Sequence, residues 1–219
     1  MKIPEDILIT RDLEKAKEIQ LIGQAKVIKE DQLSQVNYVA GVDIGFKDNF
    51  KISKGAIVIL KFPSLELVES HSIEIPTTFP YIPGYLSFRE IPAILEVFKK
   101  VQTIPDLILC DGQGLAHPRR FGLACHVGVS LDIPSIGVAK KPFIGKSKEV
   151  AIDKGSWEYL LHGDETVGAV LRTRKKVKPV YVSIGHKISL PTAIDYVLRC
   201  TTKYRLPETT RLADRLSKS

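Results

Sequence analysis

The 219-residue sequence lacks most of what would mark a secreted, membrane-bound or zinc-holding protein. It has three cysteines and no Cys-x-x-Cys spacing, which excludes a disulfide framework and a zinc site built on that spacing. No apolar run approaches the length of a membrane span, and the opening Met1-Lys2-Ile3-Pro4-Glu5-Asp6 has no signal-peptide apolar region. A reducing cytoplasm is the compartment these absences predict, with no membrane partner. Internal repeats, low-complexity tracts and domain linkers are missing too, so residues 1–219 are expected to form one domain, by default a monomer. Gly145-Lys146-Ser147 hints at a phosphate-binding loop, but that motif needs a glycine at position 140. Lys140 stands there, and the motif is excluded.

What remains is the composition of a soluble globular protein, 44% hydrophobic and 26% charged. Thirty-two Lys and Arg against twenty-five Asp and Glu leave a net charge of +7, which suits a polyanionic partner without establishing one. Helical spacing from Leu13 to Glu30 predicts an amphipathic helix on the outside of the core. Tyr38–Phe46 reads as a strand, followed by a hairpin of Lys54–Phe62 and Leu65–Ile75. A helix over Leu86–Lys100, strands at Leu107–Cys110 and Ser135–Ala139, and a helix between them at Arg120–Leu131 imply a right-handed parallel crossover. Thr166–Thr173 and Val180–Ser183 predict a second hairpin, whose basic tip Arg172–Lys178 reads first as a solvated turn. Helices at Pro191–Cys200 and Pro207–Leu216 complete an α/β fold: an antiparallel meander, then parallel crossovers, flanked by helices.

Two acids stand out within this pattern. Asp111 follows the wholly apolar Leu107-Ile108-Leu109-Cys110 and precedes Gly112-Gln113-Gly114, so it sits where a buried parallel strand ends and ligands of open sheets bind. It could instead cap an ordinary Asp-Gly turn. Cys110, its neighbour in a strand, must face the other way and is a poor nucleophile. Asp43 lies inside the first strand on the face shared by Gly41 and Gly45, which predicts open space beside it. A buried acid there needs a partner or a metal, unless the strand lies at an edge. If the crossovers extend the sheet beyond the first strand, Asp43 and Asp111 become neighbours. The stretch Phe79–Glu90 carries Tyr81 and Ile82 on a loop stiffened by Pro80 and Pro83; such a tip is either a packing corner or a wedge that unstacks bases.

Pro80-Tyr81-Ile82-Pro83-Gly84 with Phe88-Arg89-Glu90, Asp111-Gly112-Gln113-Gly114-Leu115-Ala116-His117-Pro118 and Ile136-Gly137-Val138-Ala139-Lys140 together resemble the endonuclease V family. Gly41-Val42-Asp43 and Thr210-Arg211-Leu212-Ala213-Asp214 resemble it as well, so the likeness spans nearly the whole chain. Two positions depart or vary: Ile184 stands where the family commonly has proline, and position 214 alternates between Asp and His. The resemblance implies an RNase H-like fold with a five-stranded mixed sheet. It also implies magnesium-dependent cleavage near a deaminated base, chiefly inosine, at the second phosphodiester bond on the 3′ side, leaving 3′-hydroxyl and 5′-phosphate ends.

Those implications agree with the chemistry of the residues. Phosphodiester hydrolysis builds negative charge on two oxygens, and hard divalent cations held by oxygen ligands offset it. Asp43, Glu90 and Asp111 are the expected ligands of magnesium, or of manganese in its place, with Asp214 as a possible fourth. Lys140 is assigned to the scissile phosphate or attacking water, although plain solvation is its reading without the resemblance. His117 either orients water, contacts the phosphate or makes a structural hydrogen bond. By resemblance, Tyr81 stacks beside the gap left by the altered base. The wedge residues Pro80, Ile82 and Pro83, with Arg89, belong to the nucleic-acid surface, and Gly84, Leu86, Gly112, Gly122 and Leu123 line the base pocket. The partner is DNA bearing deaminated bases. The competing readings are an RNase H-like nuclease for other DNA structures or inosine-containing RNA, and a non-catalytic binding module.

Overall fold

The computed structural model describes residues 9–219, so Met1–Asp6 and its expected lack of a signal segment lie outside the described residues. Asp12 caps the first helix, α1 (Leu13–Ala25), its carboxylate accepting from the Lys15 N–H at 2.8 Å. The helix stops short of the predicted Glu30. Beyond it the Ile28 carbonyl accepts from the Lys187 N–H at 2.7 Å, and that pairing takes the chain away from helical geometry.

Strands β1 (Tyr38–Lys47), β2 (Ile52–Lys61) and β3 (Glu66–Pro76) form the expected antiparallel meander. β4 (Leu107–Cys110) then pairs parallel with β1, and β5 (Ser135–Ala139) pairs parallel with β4, as the crossover pattern requires. Both short strands are buried along their whole length, in keeping with their unbroken apolar sequence.

The sheet does not stop at five strands. β6 (Trp157–His162), β7 (Glu165–Leu171) and β8 (Val180–His186) continue it, in the order β3-β2-β1-β4-β5-β8-β7-β6, eight strands among the described residues. The reason lies in β8, which pairs antiparallel with β5 and so joins the predicted second hairpin edge to edge with the crossover strands. β6 escaped prediction because Trp157-Glu-Tyr-Leu-Leu-His162 buries only Leu160 and shows no clean alternation. The loop after β7 is also less solvated than expected: Arg172 donates to the carbonyls of Val150, Ala151 and Val177, and Thr173 is fully buried.

Alternate residues of the central strands feed two cores. Val39, Leu107, Leu109, Ile136, Val138 and Val182 pack under α4 (Leu190–Arg199) and α5 (Glu208–Ser217). Ala40, Val42, Ile57, Ile59 and Ile108 pack under α2 (Leu86–Phe98) and α3 (Leu123–Leu131). Helix α3 starts three residues later than predicted, because Arg120 is left-handed (φ 54°) and Gly122 is extended. Among the described residues, no helix is long and apolar enough to cross a membrane.

Candidate active site

Parallel pairing sets Val42 beside Cys110 and Cys110 beside Gly137, so the carboxyl ends of β1, β4 and β5 share one edge. The residues that follow are Asp43, Asp111 and, two past Val138, Lys140. A third acid arrives from α5. The space predicted to be open beside Asp43 is filled, since a Cβ at Gly41 would lie 2.1 Å from the Thr209 carbonyl oxygen and one at Gly45 2.2 Å from that of Ser217. Four strand residues span about 13 Å and eight helical residues about 12 Å, so α5 lies along β1 with the two glycines as its bed. Small side chains thus mark a close backbone approach here and not a void.

That approach brings Asp214 to the strand edge. Carboxylate oxygens of Asp43, Asp111 and Asp214 lie within 4.8 Å of one another, an all-oxygen set of the kind hard divalent cations bind. Burial raises the Asp43 carboxyl to a pKa of about 6; the Ser217 hydroxyl, donating to its Oδ2 at 2.5 Å, pulls it back, and the charges of Asp111 and Asp214 push it further up. Lys140 Nζ is 2.5 Å from Asp111 Oδ2 and 3.6 Å from Asp214 Oδ1, and Lys218 Nζ is 2.5 Å from the same Asp214 oxygen. Burial works against the Lys140 charge, but the Asp111 hydrogen bond and the surrounding carboxylates outweigh it and hold its pKa above the ordinary lysine range.

Glu90 is not a member of the trio. It is held behind it on α2, where burial first, then Asp43 and Asp111, raise its carboxyl well above the ordinary range. Arg89, expected on the nucleic-acid surface, is only 8% exposed and stacks on Phe46 and Phe50, 4.3 and 5.3 Å from the ring centroids. From there its charge favours the ionised form of Glu90.

Next to the carboxylates lies a cavity of about 240 Å³. Seven of the residues expected around the base are in its wall: Tyr81, Pro83, Gly84, Leu86, Gly112, Gly122 and Leu123. Ser87, Gln113, His117 and Phe143, which were not expected in the pocket, join them. Tyr81 is 65% exposed at the lip, Pro80 beside it is exposed too, and Ile82 turns inward against Phe79 and Phe88. His117 is spoken for on both ring nitrogens: Nδ1 accepts from the Arg119 N–H (3.2 Å), so Nε2 carries the proton and donates to the Gly84 carbonyl (3.1 Å). Burial, with Arg119 nearby, lowers its pKa to about 4, and the ring is neutral near pH 7.

Tight packing fixes the turn that follows Gln113. The Gly114 N–H donates to Ser183 Oγ at 2.7 Å, and a Cβ on Gly114 would lie 2.0 Å from the Ile184 carbonyl oxygen. Ser217 and Lys218 carry no motif of their own and were invisible in the sequence, and Ser183 was legible only as the end of a strand. Gln20 could have been found, because it is a polar residue in the buried stripe of α1.

A family model described as endonuclease V matches residues 22–215. An endonuclease V of Rippkaea orientalis is 60% identical over 217 residues, covering 99% of this chain and 95% of that protein. The crystal structure of endonuclease V from Streptomyces avermitilis superposes with a TM-score of 0.91 at 41% identity, covering 99% of this chain and 95% of that one. The endonuclease V of Ciona intestinalis, in complex with a 24mer DNA containing an inosine followed by a ribo-adenosine, superposes with a TM-score of 0.83 at 29% identity, covering 94% and 95%.

Proposed function

Because the chain belongs to the endonuclease V family, a family of DNA-repair nucleases, we propose that it cuts strands containing deoxyinosine or inosine, with magnesium held at Asp43, Asp111 and Asp214 and the altered base held in the adjoining cavity. One observation carries this reading: Leu86 and Leu123, the first residues of α2 and α3, both line the cavity, and neither helix has a side-chain N-cap. The first N–H groups of a helix have no partner within it, and the helix dipole makes that end positive. Hypoxanthine presents a keto oxygen, an acceptor, where adenine presents an amino group. Two of these N–H groups are already engaged, Phe88 with the Tyr85 carbonyl and Ala124 with the Gln113 carbonyl, and those left at the cavity wall favour a base that offers an acceptor. Flipping it out costs least where pairing is already weak, which adds to the selection.

The donor set suits the proposed metal. Three hard carboxylate oxygens cluster at the sheet edge, the Asp43 carboxyl is raised first by burial and then by the charges of Asp111 and Asp214, and Lys140 offsets part of that charge. Magnesium, or manganese in its place, would offset the charge that grows on the attacking and leaving oxygens. Lys140, with 43% of its side chain exposed, is placed to hold the scissile phosphate once the carboxylates are balanced. Glu90, behind Asp43 and Asp111 and repelled by them, would join them as a ligand once a cation is bound, and His117 shapes the cavity wall. We read the sheet, from β1 to β5 with α2 and α3, as RNase H-like, and residues 1–219 as one catalytic domain acting as a monomer in the cytoplasm.

A base fixed in this cavity ties the strand to the carboxylates through one backbone, so a single phosphate is presented, the second on the 3′ side. Orientation of this kind governs regiospecificity, since a displacement of about 1 Å can cost roughly a hundredfold in rate. End-labelled strands with one deoxyinosine or inosine, incubated with and without magnesium and mapped at single-nucleotide resolution, test the proposal. The expected result is one magnesium-dependent cut leaving 3′-hydroxyl and 5′-phosphate ends in every sequence context. Scattered cuts, cuts on the 5′ side or free hypoxanthine would overturn it. A preference for the ribose strand would assign RNA as the substrate.

A further inference from the structure

We infer that Gln20 and Arg119 are positioning residues for lesion recognition, which hold the Gly84 carbonyl so that wedge and cavity rim keep one shape. This rests on the reading that the cavity receives the altered base. The Gly84 carbonyl accepts from three side chains at once: Gln20 Nε2 at 2.9 Å, His117 Nε2 at 3.1 Å and Arg119 Nη2 at 2.6 Å. A carbonyl has two lone pairs, so three donors saturate it and leave no capacity to read a base.

Gln20 comes from α1, 64 residues earlier, and is fully buried. Its amide is engaged at both ends, because Oε1 accepts from Arg119 Nε. Arg119 also stacks on Tyr85, 4.2 Å from the ring centroid. Gly84 is left-handed (φ 83°), and a Cβ there would meet Arg119 Nη2 at 2.9 Å. One residue on, the Tyr85 N–H donates to the Ile82 carbonyl at 2.9 Å, closing the turn that carries the wedge into α2.

The segment from Ile82 to Leu86 is thus pinned by a polar cluster, whose Gln20 amide also reaches the Phe121 carbonyl at 3.5 Å. α1 is already anchored through Ala16 and Ile19 against Phe79 and Phe88. A buried network with every member satisfied specifies one geometry, and here that geometry is the lip from which Tyr81 projects and the point where α2 offers its first N–H groups.

Gln20→Glu separates the two bonds of the amide: it keeps an acceptor for Arg119 and loses the donor to Gly84. Arg119→Lys removes the fork. Dissociation constants are measured for a strand with one deoxyinosine and for the same strand with deoxyadenosine, together with the magnesium-dependent single-turnover rate at saturating enzyme and the melting temperature. Both variants should lose roughly tenfold in affinity for the deoxyinosine strand. Binding of the deoxyadenosine strand and the saturated rate should stay within about twofold of the parent, as expected when only recognition is affected. Full lesion preference in both variants overturns the inference, as does an equal fall for both strands with a lower melting temperature. If Gln20→Glu does not fold, Arg119→Lys alone decides. A parent protein with no preference for deoxyinosine would instead remove the base-pocket reading, and this inference with it.

Discussion

The carboxylate edge and the base cavity meet in the chain between Asp111 and Gly112, yet they are built on opposite principles. At the edge, three acids crowd within 4.8 Å with a fourth behind them, and burial has already pushed Asp43 to about 6. In the cavity, His117 is neutral, the Gly84 carbonyl is saturated and the Gly114 N–H is satisfied by Ser183. At the edge, like charges are crowded together and countered by Lys140 and Lys218, whereas the cavity rim is shaped by hydrogen bonds on Gly84, with Gln113 Oε1 left buried and without a partner in the wall. Charge is what a cation or a phosphodiester answers to, and shape is what a base answers to.

The strongest way to break this contrast is to neutralise the edge. Asp111→Asn or Asp43→Asn should lower the cleavage rate by about a thousandfold or more while strand binding largely survives, because a metal-holding group is lost and the cavity is untouched. Melting curves add a second readout. Magnesium should raise the melting temperature of the parent by binding only the folded form, and should leave Asp43→Asn nearly unmoved. Normal turnover by either variant would remove the assignment.

The cavity should answer to falling pH in the opposite sense to the edge, where Asp43, raised to about 6, favours the folded state as it takes up its proton. His117 has a folded pKa near 4, below the 6.5 of a free imidazole. Above pH 6.5 the ring is neutral folded or unfolded; between 6.5 and 4 the unfolded chain binds the proton and the folded one does not. Stability is therefore fully present above 6.5 and is lost as the pH falls towards 4, by on the order of 2–3 kcal/mol. Denaturant titrations of His117→Asn across that window should show a shallower loss than the parent; parallel curves would mean the ring is not held neutral.

Tyr81→Ala sharpens the comparison from the other side. Binding of an inosine-containing strand should weaken by about 1–3 kcal/mol, the range for a lost base–aromatic stack, with the magnesium requirement unchanged. Equal binding of lesion-bearing and intact duplexes by variant and parent would make Tyr81 a packing residue only.

Ser217→Ala should give the smallest change. Removing the hydrogen bond to Asp43 weakens the ionised form, and the magnesium concentration for half-maximal cleavage should rise a few-fold, about 1 kcal/mol. A titration that overlays the parent would show that Ser217 does not tune the site.

How much of this could be read beforehand follows a physical divide. Leu107–Cys110 and Ser135–Ala139 were legible to the residue, because strands buried on both faces have no polar alternation to blur their ends. The juxtaposition of Asp43 and Asp111 followed from topology. β6 was not legible, since an edge strand with one buried residue has little hydrophobic pattern. The extent of the sheet was underestimated for a related reason: nothing local tells β8 to join β5. At the site, the acids announced themselves by standing in or after apolar strands. Gly41 and Gly45 were misread as open space, because sequence shows the absence of a side chain but not what moves into its place. Ser217 and Lys218 gave no signal, and Ser183 none beyond the end of a strand, being ordinary polar residues made special by contacts across more than sixty residues of chain, or by the helix that carries them.

Helix α5, seated on the glycines of β1, has a bearing on when this nuclease comes alive during its own synthesis. Asp43, Glu90 and Asp111 are translated by about the midpoint of the chain, but Asp214 and the Ser217 that steadies Asp43 follow about a hundred residues later. A partly made chain can assemble the meander and the first crossover and still have a bare strand face where the last helix belongs. It cannot gather its three carboxylates. The order of residues along the messenger thus leaves the three-carboxylate edge to be completed by α5, after the strands it closes upon have been made.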